Sequence, residues 1–249
     1  MKARIVYGCL ACAYYLSWVW FAAFGLVLNL FCLPLFLWPR RDRSGAMVRA
    51  AIRVLFKLWL GWFRVSRCLR ITWRGFDAPL SGGTLYVANH PTLLDATFLL
   101  ARLPDPICIF KPALRRSPSI GVAAIAAGYV TEESGIDLIR ETAERVAAGQ
   151  SLLIFPEGTR TRTGTILGPL KPGFALIAAR ARAPVQLIVI RASADLVPRG
   201  RPWWRPPAIL PARADIALDR RWEHDPQRPT QLLTAEVARR LSEVLVAPQ

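Results

Sequence analysis

The sequence has 249 residues, 53% of them hydrophobic, which suits one α/β domain with a short appendage better than two full domains. The net charge of +16 has two interpretations. It reflects an arginine-rich composition that has no functional role, or it indicates attraction to anionic lipid headgroups, nucleic acid, or acidic substrates and carriers. Charge alone does not choose among these partners.

The N-terminal part contains a run of 35 uncharged residues, 5–39. About 20 apolar residues cross a bilayer as a helix, so this run is longer than one span and shorter than two. It is too long for a signal peptide. Basic residues flank it at both ends: Lys2, Arg4, Arg40, Arg41 and Arg43. We therefore predict a membrane-embedded segment over residues 1–43, either one tilted span or a helical hairpin that enters one leaflet and returns.

The distribution of charge and cysteine predicts where the remaining chain lies. The larger basic cluster comes after residue 38, which favours a cytoplasmic position for the rest of the chain, at a bacterial-type inner membrane. The five cysteines are scattered, and Cys9 and Cys12 lie inside the apolar run without a partner pair. This pattern is typical of free thiols in a reducing compartment and makes a metal site there improbable.

Residues 44–68 are predicted to form a second helix. Arg49, Arg53, Lys57 and Arg64 recur at helical intervals and form one basic stripe beside aromatic residues. The pattern is that of a helix lying in a membrane interface. A surface helix packing on the domain is an equally good interpretation.

From residue 69 to 249 short apolar runs alternate with helical patterns. The predicted strands are 69–73, 84–88, 106–110, 151–155 and 184–190. The predicted helices are 91–102, 119–127, 135–148, 173–183 and 230–246. This alternation predicts an α/β domain with a largely parallel sheet flanked by helices. Residues 197–211 have the composition of a loop, in which Trp203 and Trp204 either touch headgroups or belong to an ordinary ordered segment.

The first chemical motif runs from Asn89 to Asp95, directly after a predicted strand. Pro91 suits a first helical turn, so His90 is expected at the carboxyl end of a strand, where α/β sheets place ligands. A nearby Asp95 carboxylate can hold a histidine tautomer and stabilise the imidazolium. We predict His90 and Asp95 as a catalytic pair that acts directly on a substrate hydroxyl. Backbone N–H groups at the start of this helix are the expected donors to the developing oxyanion.

The second motif, from Phe155 to Arg162, also follows a predicted strand. Gly158 allows close approach of the backbone to a ligand, and Thr159 offers a hydroxyl. Arg160 presents the planar fork that suits phosphate or carboxylate. Glu157 is interpreted as a positioning group that binds a substrate hydroxyl or orients Arg160.

Together, the H-x-x-x-x-D and F-P-E-G-T-R strings resemble the glycerolipid acyltransferase family that converts 1-acyl-glycerol-3-phosphate to phosphatidate. The resemblance covers about residues 69–190 and implies an acyl-CoA or acyl carrier protein donor, a lysolipid acceptor, and no metal or organic cofactor. The net charge and the basic helix predict an anionic membrane surface as a further partner. Lys111 matches a basic position that the family often carries. The expected substrate-binding residues are Asn89, Lys111, Glu157, Gly158, Thr159 and Arg160.

One departure from the family pattern weakens the prediction that the acceptor is 1-acyl-glycerol-3-phosphate. Where the family usually has a phosphate-binding arginine, this sequence has Glu132, Glu133 and Ser134, and Arg140 comes only later. The same chemistry on a non-phosphate acceptor, such as an amino-acid lipid or a polyene- or polyketide-like lipid, is therefore an alternative. A membrane hydrolase with the same pair and a membrane-tethered nucleic-acid-binding protein explain the two motifs less well, and we expect no nucleic-acid partner.

Overall fold

The structure is a computed structural model that describes residues 2–37, 41–131 and 135–247. Glu132, Glu133 and Ser134, on which the identity of the acceptor partly depends, lie outside the described residues, as does Arg40. The prediction of an α/β fold with a largely parallel sheet flanked by helices is confirmed.

Seven helices and seven strands make up the described part of the chain. The helices are α1 (Lys2–Cys32), α2 (Arg41–Ser66), α3 (Asp95–Leu100), α4 (Gly121–Ala126), α5 (Gly135–Ala147), α6 (Gly173–Ala181) and α7 (Thr230–Val246). The strands are β1 (Leu69–Arg74), β2 (Leu85–Ala88), β3 (Pro106–Phe110), β4 (Val130–Thr131), β5 (Ser151–Ile154), β6 (Val185–Ala192) and β7 (Ala212–Trp222). Short 3-10 turns at Leu33–Leu37 and Pro112–Arg116 precede α2 and α4.

The strands form one sheet in the order β1-β7-β6-β2-β5-β3-β4. Every pairing is parallel except that of β6 with β7. β7 is absent from the sequence prediction, although it is the longest strand. Charged residues interrupt it at Arg213, Asp215 and 219–221, and two of its four buried residues are alanines, so it lacks a strongly apolar run.

The sheet separates two hydrophobic cores, because successive side chains of a strand point to opposite faces. In β2, Tyr86 and Ala88 join the core beneath α1–α4, whereas Leu85 and Val87 join the core beneath α5–α7. All four are almost fully buried, and β2 is therefore a central strand. Its carboxyl end carries the first chemical motif.

α1 and α2 form a helical hairpin that packs on the α/β domain. Trp59 in α2 donates its indole N–H to the carbonyl of Ser17 in α1, at 2.8 Å. Asn29 in α1 is buried, accepts a hydrogen bond from the Ala123 backbone at 2.6 Å, and donates to the carbonyl of Pro118. The hairpin predicted for residues 1–43 would return within that segment, whereas α1 is one continuous helix of 31 residues and the returning helix is α2.

The outer side of α1 is apolar and exposed. Residues 4–35 are long and apolar enough to cross a membrane, as predicted for the N-terminal segment, and only 22% of the most apolar window is buried by the protein. Val19, Leu30 and Phe31 are among the exposed side chains. A candidate membrane helix is therefore present at the N-terminus.

α2 differs from the predicted interfacial helix in one respect. Arg49 is buried, grips Asp105 through two hydrogen bonds of 2.6 and 3.0 Å, and donates to the carbonyl of Ala127. Its assignment to an outward-facing basic stripe is therefore wrong, because partners that are distant in sequence draw it inwards. The outer face of α2 instead presents Met47, Val54, Leu58 and Val65.

Candidate active site

His90 lies two residues beyond the carboxyl end of β2. Its Nδ1 is 2.8 Å from Oδ2 of Asp95, and the imidazole stacks on the Phe155 ring, with centroids 4.2 Å apart and planes 21° apart. The side chain is 19% exposed, and Nε2 makes no hydrogen bond within the described residues. The contact with Asp95 favours the tautomer in which Nδ1 donates, and this tautomer leaves Nε2 as a proton acceptor.

Asp95 is completely buried and its carboxylate accepts three hydrogen bonds. Besides His90, it accepts the backbone N–H of Thr92 at 2.7 Å and the Thr92 hydroxyl at 2.6 Å. A buried carboxylate requires such donors to offset its loss of water. The carboxylate is thereby held in the orientation that meets the imidazole.

The segment between His90 and Asp95 is a turn and not the predicted first turn of a helix. The backbone N–H of Thr92 binds Asp95, that of Leu93 binds the carbonyl of Val197 at 3.1 Å, and that of Leu94 binds the Thr92 hydroxyl. The helix consequently begins only at Asp95 and ends at Leu100. The expectation that N–H groups at a Pro91 helix start serve an oxyanion is wrong, because these groups are already used.

Glu157 joins the two motifs. One carboxylate oxygen accepts the backbone N–H of His90 at 3.0 Å and the Thr161 hydroxyl at 2.9 Å, and the other accepts the N–H of Gly168 at 2.8 Å. Thr161 also donates its own backbone N–H to the carbonyl of His90. Glu157 is 7% exposed, and its contacts hold the His90 backbone instead of orienting Arg160.

Arg160 is half-buried at the same edge of the sheet. Its Nη1 donates to the carbonyls of Val197 and Pro198 at 3.2 and 3.0 Å, while Nε and Nη2 make no hydrogen bond within the described residues. Burial lowers the pKa of the guanidinium, and the charge of Asp95 opposes that shift. Val197 adopts a left-handed backbone conformation, uncommon for a β-branched residue, and its carbonyl accepts from both Arg160 and Leu93.

Gly158 and Thr159 complete the turn before Arg160. Gly158 has φ = +65°, and a Cβ there would lie 2.7 Å from Nζ of Lys171. The hydroxyl of Thr159 makes no hydrogen bond within the described residues. The turn therefore needs glycine for its own geometry, while the threonine hydroxyl stays available to a ligand.

The other two predicted substrate-binding residues lie in different surroundings. Asn89 is buried and exchanges hydrogen bonds of 2.8 Å with both the N–H and the carbonyl of Ile190, which joins β2 to β6. Only one N–H of its amide is left for a ligand. Lys111 follows β3 at the same edge of the sheet, where it is exposed.

An apolar cavity of about 610 Å³ lies between the N-terminal helices and the domain. It is lined by residues of α1, α2, α3, β3 and α4, by Trp203, and by Leu93 and Leu94 of the turn between His90 and Asp95. Cys108, on its wall, is buried, and burial raises the pKa of its thiol to about 12. A thiol of that kind is a poor nucleophile near neutral pH.

Nε2 of His90 can accept a proton, and the buried Asp95 carboxylate can stabilise the positive charge of the imidazolium. The cavity beside Leu93 and Leu94 can bind an apolar chain next to the same turn. Thr92, Phe155, Thr161 and Val197 contribute to this arrangement, and none of them is assigned a role from the sequence. Their contacts depend on the approach of segments distant in sequence. Among the residues that the structure describes, no group of three His, Cys, Asp or Glu side chains is placed to hold a metal ion.

Comparison with known proteins gives one family. Residues 70–191 match the model of the Acyltransferase family. A 121-residue segment is 35% identical to a chloroplastic 1-acyl-sn-glycerol-3-phosphate acyltransferase of Brassica napus, covering 47% of this chain and 35% of that protein. A 116-residue segment is 34% identical to a 1-acyl-sn-glycerol-3-phosphate acyltransferase of Helicobacter pylori, covering 44% and 49%. The chain thus spans less than half the length of these relatives.

The fold resembles a solved structure over nearly all of its length. The crystal structure of the 1-acyl-sn-glycerophosphate acyltransferase from Thermotoga maritima aligns with a TM-score of 0.71 over 98% of this chain and 97% of that one, at 20% sequence identity. The α/β domain and the N-terminal helices together therefore adopt the fold of that solved structure.

Proposed function

Residues 70–191 match the Acyltransferase family model, and from that similarity we propose that the chain transfers a fatty acyl group from a thioester to the hydroxyl of 1-acyl-glycerol-3-phosphate, forming phosphatidate. The observation that carries this proposal is the hydrogen bond between His90 Nδ1 and the buried Asp95, which leaves Nε2 free as a base. The donor is acyl-CoA or an acyl carrier protein.

In the proposed mechanism His90 Nε2 removes the proton of the acceptor hydroxyl as its oxygen attacks the thioester carbonyl. Asp95 stabilises the imidazolium that forms. The carbon–sulfur bond then breaks, and the departing thiolate takes the proton from His90. The products are an ester and a free thiol, and the base returns to its starting state.

The apolar cavity supports a lipid-like substrate. Its volume falls in the range of small-molecule sites, and its wall includes Leu93 and Leu94, three and four residues from His90. Each buried CH₂ group contributes about 0.8 kcal/mol, so an acyl chain gains binding energy along its whole length. Seating the chain there holds the thioester end near the base.

Arg160 supports a phosphate on the acceptor. Two carbonyls orient its Nη1, and its remaining N–H groups are unused within the described residues. A fixed guanidinium with free donors suits a phosphate oxygen. Arg140, the alternative raised by the sequence, is exposed on α5 and pairs with Asp137 at 3.3 Å. We therefore assign the phosphate to Arg160.

We also propose that α1 and α2 hold the enzyme at a bacterial-type inner membrane, with the catalytic domain on the cytoplasmic face. The exposed apolar side of α1 and the basic residues around it support this location. Alkaline washing of membranes should retain the full chain. Complete release of the protein would contradict an embedded segment.

The decisive experiment is an acceptor screen with purified full-length protein and a labelled acyl donor. We expect transfer to 1-acyl-glycerol-3-phosphate, with slow donor turnover when the acceptor is omitted. Arg160→Ala should lower kcat/KM for this acceptor about ten- to hundredfold, the effect of losing one charge-assisted contact. Arg162→Ala, two positions along the same loop, is the matched control.

The screen also separates the alternatives. Rapid donor hydrolysis without acceptor would indicate a hydrolase. Preference for an acceptor that lacks a phosphate would indicate that the substrate is a non-phosphate lipid. Strong activity on 1-acyl-glycerol-3-phosphate that Arg160→Ala leaves unchanged would place the phosphate elsewhere, with Lys111 the next residue to test.

A further inference from the structure

A second opening of about 640 Å³, here called the basic cleft, lies between α2, β1 and the end of α3. Its chemistry-bearing lining residues are Lys57, Arg64, Arg67, Arg70, Trp73 and Arg102. The remaining lining residues are apolar or glycine, and none is acidic. The five basic side chains are exposed, and none makes a salt bridge within the described residues.

Concentration of like charge in one concave site raises the local positive potential. The Arg102 guanidinium lies 4.8 Å from the ring centroid of Trp73, and this contact holds it against the cleft wall. Arg53 supports the same residue by donating to its carbonyl at 2.9 Å. A bound anion would relieve the mutual repulsion of these groups.

The position of the cleft indicates which anion reaches it. On the neighbouring face of α2, Met47, Val54, Leu58 and Val65 are exposed at intervals that align them along one side of the helix. Lys57 and Arg64 each precede a residue of that apolar stripe. A helix with an apolar stripe bordered by basic residues lies in the membrane interface, with its cations at the level of the headgroups.

The topology also places the cleft near the catalytic edge of the sheet. Leu69 pairs with Ala212 at the start of β7, and Ala214 pairs with Ala192 at the end of β6. The first residues of β1 therefore lie at the edge where the parallel strand β2 ends and His90 follows. α3 connects the two sites directly, since it begins at Asp95 and ends just before Arg102.

We propose that the basic cleft binds the phosphate headgroup of an anionic phospholipid of the bilayer, as a site separate from the catalytic one. The lipid chains would lie along the exposed stripe of α2, and the phosphate would enter among Arg64, Arg67 and Arg70. Such a lipid fixes the height of the protein at the membrane surface, with the catalytic edge held beside it. Binding at this site is measurable without acyl transfer.

The test uses the purified full chain in neutral detergent micelles that contain phosphatidylglycerol or, separately, phosphatidylcholine. Lipid affinity is measured by titrating the shift in Tm, because a ligand that binds only the folded state stabilises it. We expect tighter binding of phosphatidylglycerol, weakened by salt. The variant Arg64→Gln/Arg67→Gln/Arg70→Gln should bind it at least tenfold more weakly, since each cation near an anionic surface contributes about fivefold.

A matched control carries the same charge change on the opposite helical layer, as Arg140→Gln/Arg180→Gln/Arg239→Gln. These three residues are exposed on α5, α6 and α7, and the control should bind phosphatidylglycerol like the wild type. Circular dichroism of both variants, with wild-type helix content, excludes misfolding as the cause. Equal losses in the two variants would overturn the proposal, because net charge alone would then explain binding.

Two further arms identify the source of the anion. If inorganic phosphate in lipid-free micelles shifts Tm of the wild type as strongly as phosphatidylglycerol, the cleft is a free-phosphate site and the lipid proposal is wrong. If the cleft variant loses binding to an acidic acyl carrier protein but keeps its affinity for phosphatidylglycerol, the cleft docks the carrier, and the proposal is likewise overturned.

Discussion

The two helical layers that cover the sheet are packed differently. The layer of α1–α4 is rich in large aromatic side chains, such as Trp59 and Phe98, yet it encloses about 610 Å³ of apolar space. The layer of α5–α7 is built mainly from alanine, valine and leucine, and the opening between α6 and α7 measures about 20 Å³. Interiors normally pack to the density of organic crystals. The first layer departs from that rule at the cavity proposed for the acyl chain, while the second supports the strands that precede the proposed catalytic groups.

Replacing the two histidines gives the largest expected difference between the two regions. His90 lies at the edge of the sheet that carries the proposed active site, and His224 lies beside α6 and α7. His90→Ala should reduce acyl transfer about 10²–10⁴-fold, the usual effect of removing a positioned base, while membrane association stays intact. His224→Ala should leave the rate within about twofold of the wild-type rate. The measurement is kcat/KM with a labelled thioester. Near-wild-type activity of His90→Ala would remove the base from the proposed mechanism.

Substitutions at two glycines test whether Glu157 positions the backbone of His90. A Cβ at Gly168 would lie 2.8 Å from the Glu157 carboxylate, whereas one at Gly173, at the start of α6, meets nothing within 4 Å. Gly168→Ala should displace Glu157 and lower kcat about tenfold or more, because the His90 backbone loses its anchor. KM for the donor should change much less. If Gly168→Ala and Gly173→Ala have equal kcat, positioning by Glu157 is not needed.

An alanine pair compares the two cores directly. Ala123 is buried on the cavity wall, and Ala178 is buried on the inner face of α6. Ala123→Leu should shift preference from long to short acyl donors by about tenfold, because it occupies space in the cavity proposed for the acyl chain. Ala178→Leu should instead destabilise the fold by about 1–3 kcal/mol through overpacking, with unchanged chain preference.

Donor preference is read from kcat/KM for a series of acyl-CoA lengths, and stability from denaturant unfolding in detergent. A chain-length shift in Ala178→Leu, or none in Ala123→Leu, would place the acyl chain outside the cavity.

The smallest expected effect concerns a salt bridge in the supporting layer. Burial raises the pKa of Asp219, but the hydrogen bonds and charges of Arg240 and Arg220 outweigh it and lower that pKa. A lowered carboxyl pKa means that the pair stabilises the fold above the unfolded-state pKa of about 3.9, and that this contribution is lost as pH falls below it. Since Arg240 is 39% exposed, Asp219→Asn should cost at most about 1 kcal/mol at pH 7.

Unfolding free energies of the wild type and Asp219→Asn should converge towards pH 3, with acyl transfer at pH 7 unchanged. A difference that grows on acidification would contradict the assigned sign.

Much of the fold follows from local sequence patterns. Short apolar runs and helical periodicity predict five of the strands and the helices that follow them, because these patterns depend on neighbouring residues. β7 is missed because charged residues interrupt it repeatedly and two of its four buried residues are alanines. The helix predicted to begin at Pro91 begins at Asp95, since the intervening N–H groups bind Asp95, Thr92 and Val197.

The sequence by itself determined the order of five of the seven strands and of the helices between them, the apolar N-terminal segment, and the two motifs that point to His90, Asp95 and Arg160. Each of these is encoded within a few consecutive residues. Only the tertiary structure decided that Glu157 binds the His90 backbone, that Arg49 turns inwards to Asp105, and that α1 packs on the domain through Asn29. Those contacts join residues from 56 to 94 positions apart, and no local propensity specifies which distant group will satisfy a buried polar atom.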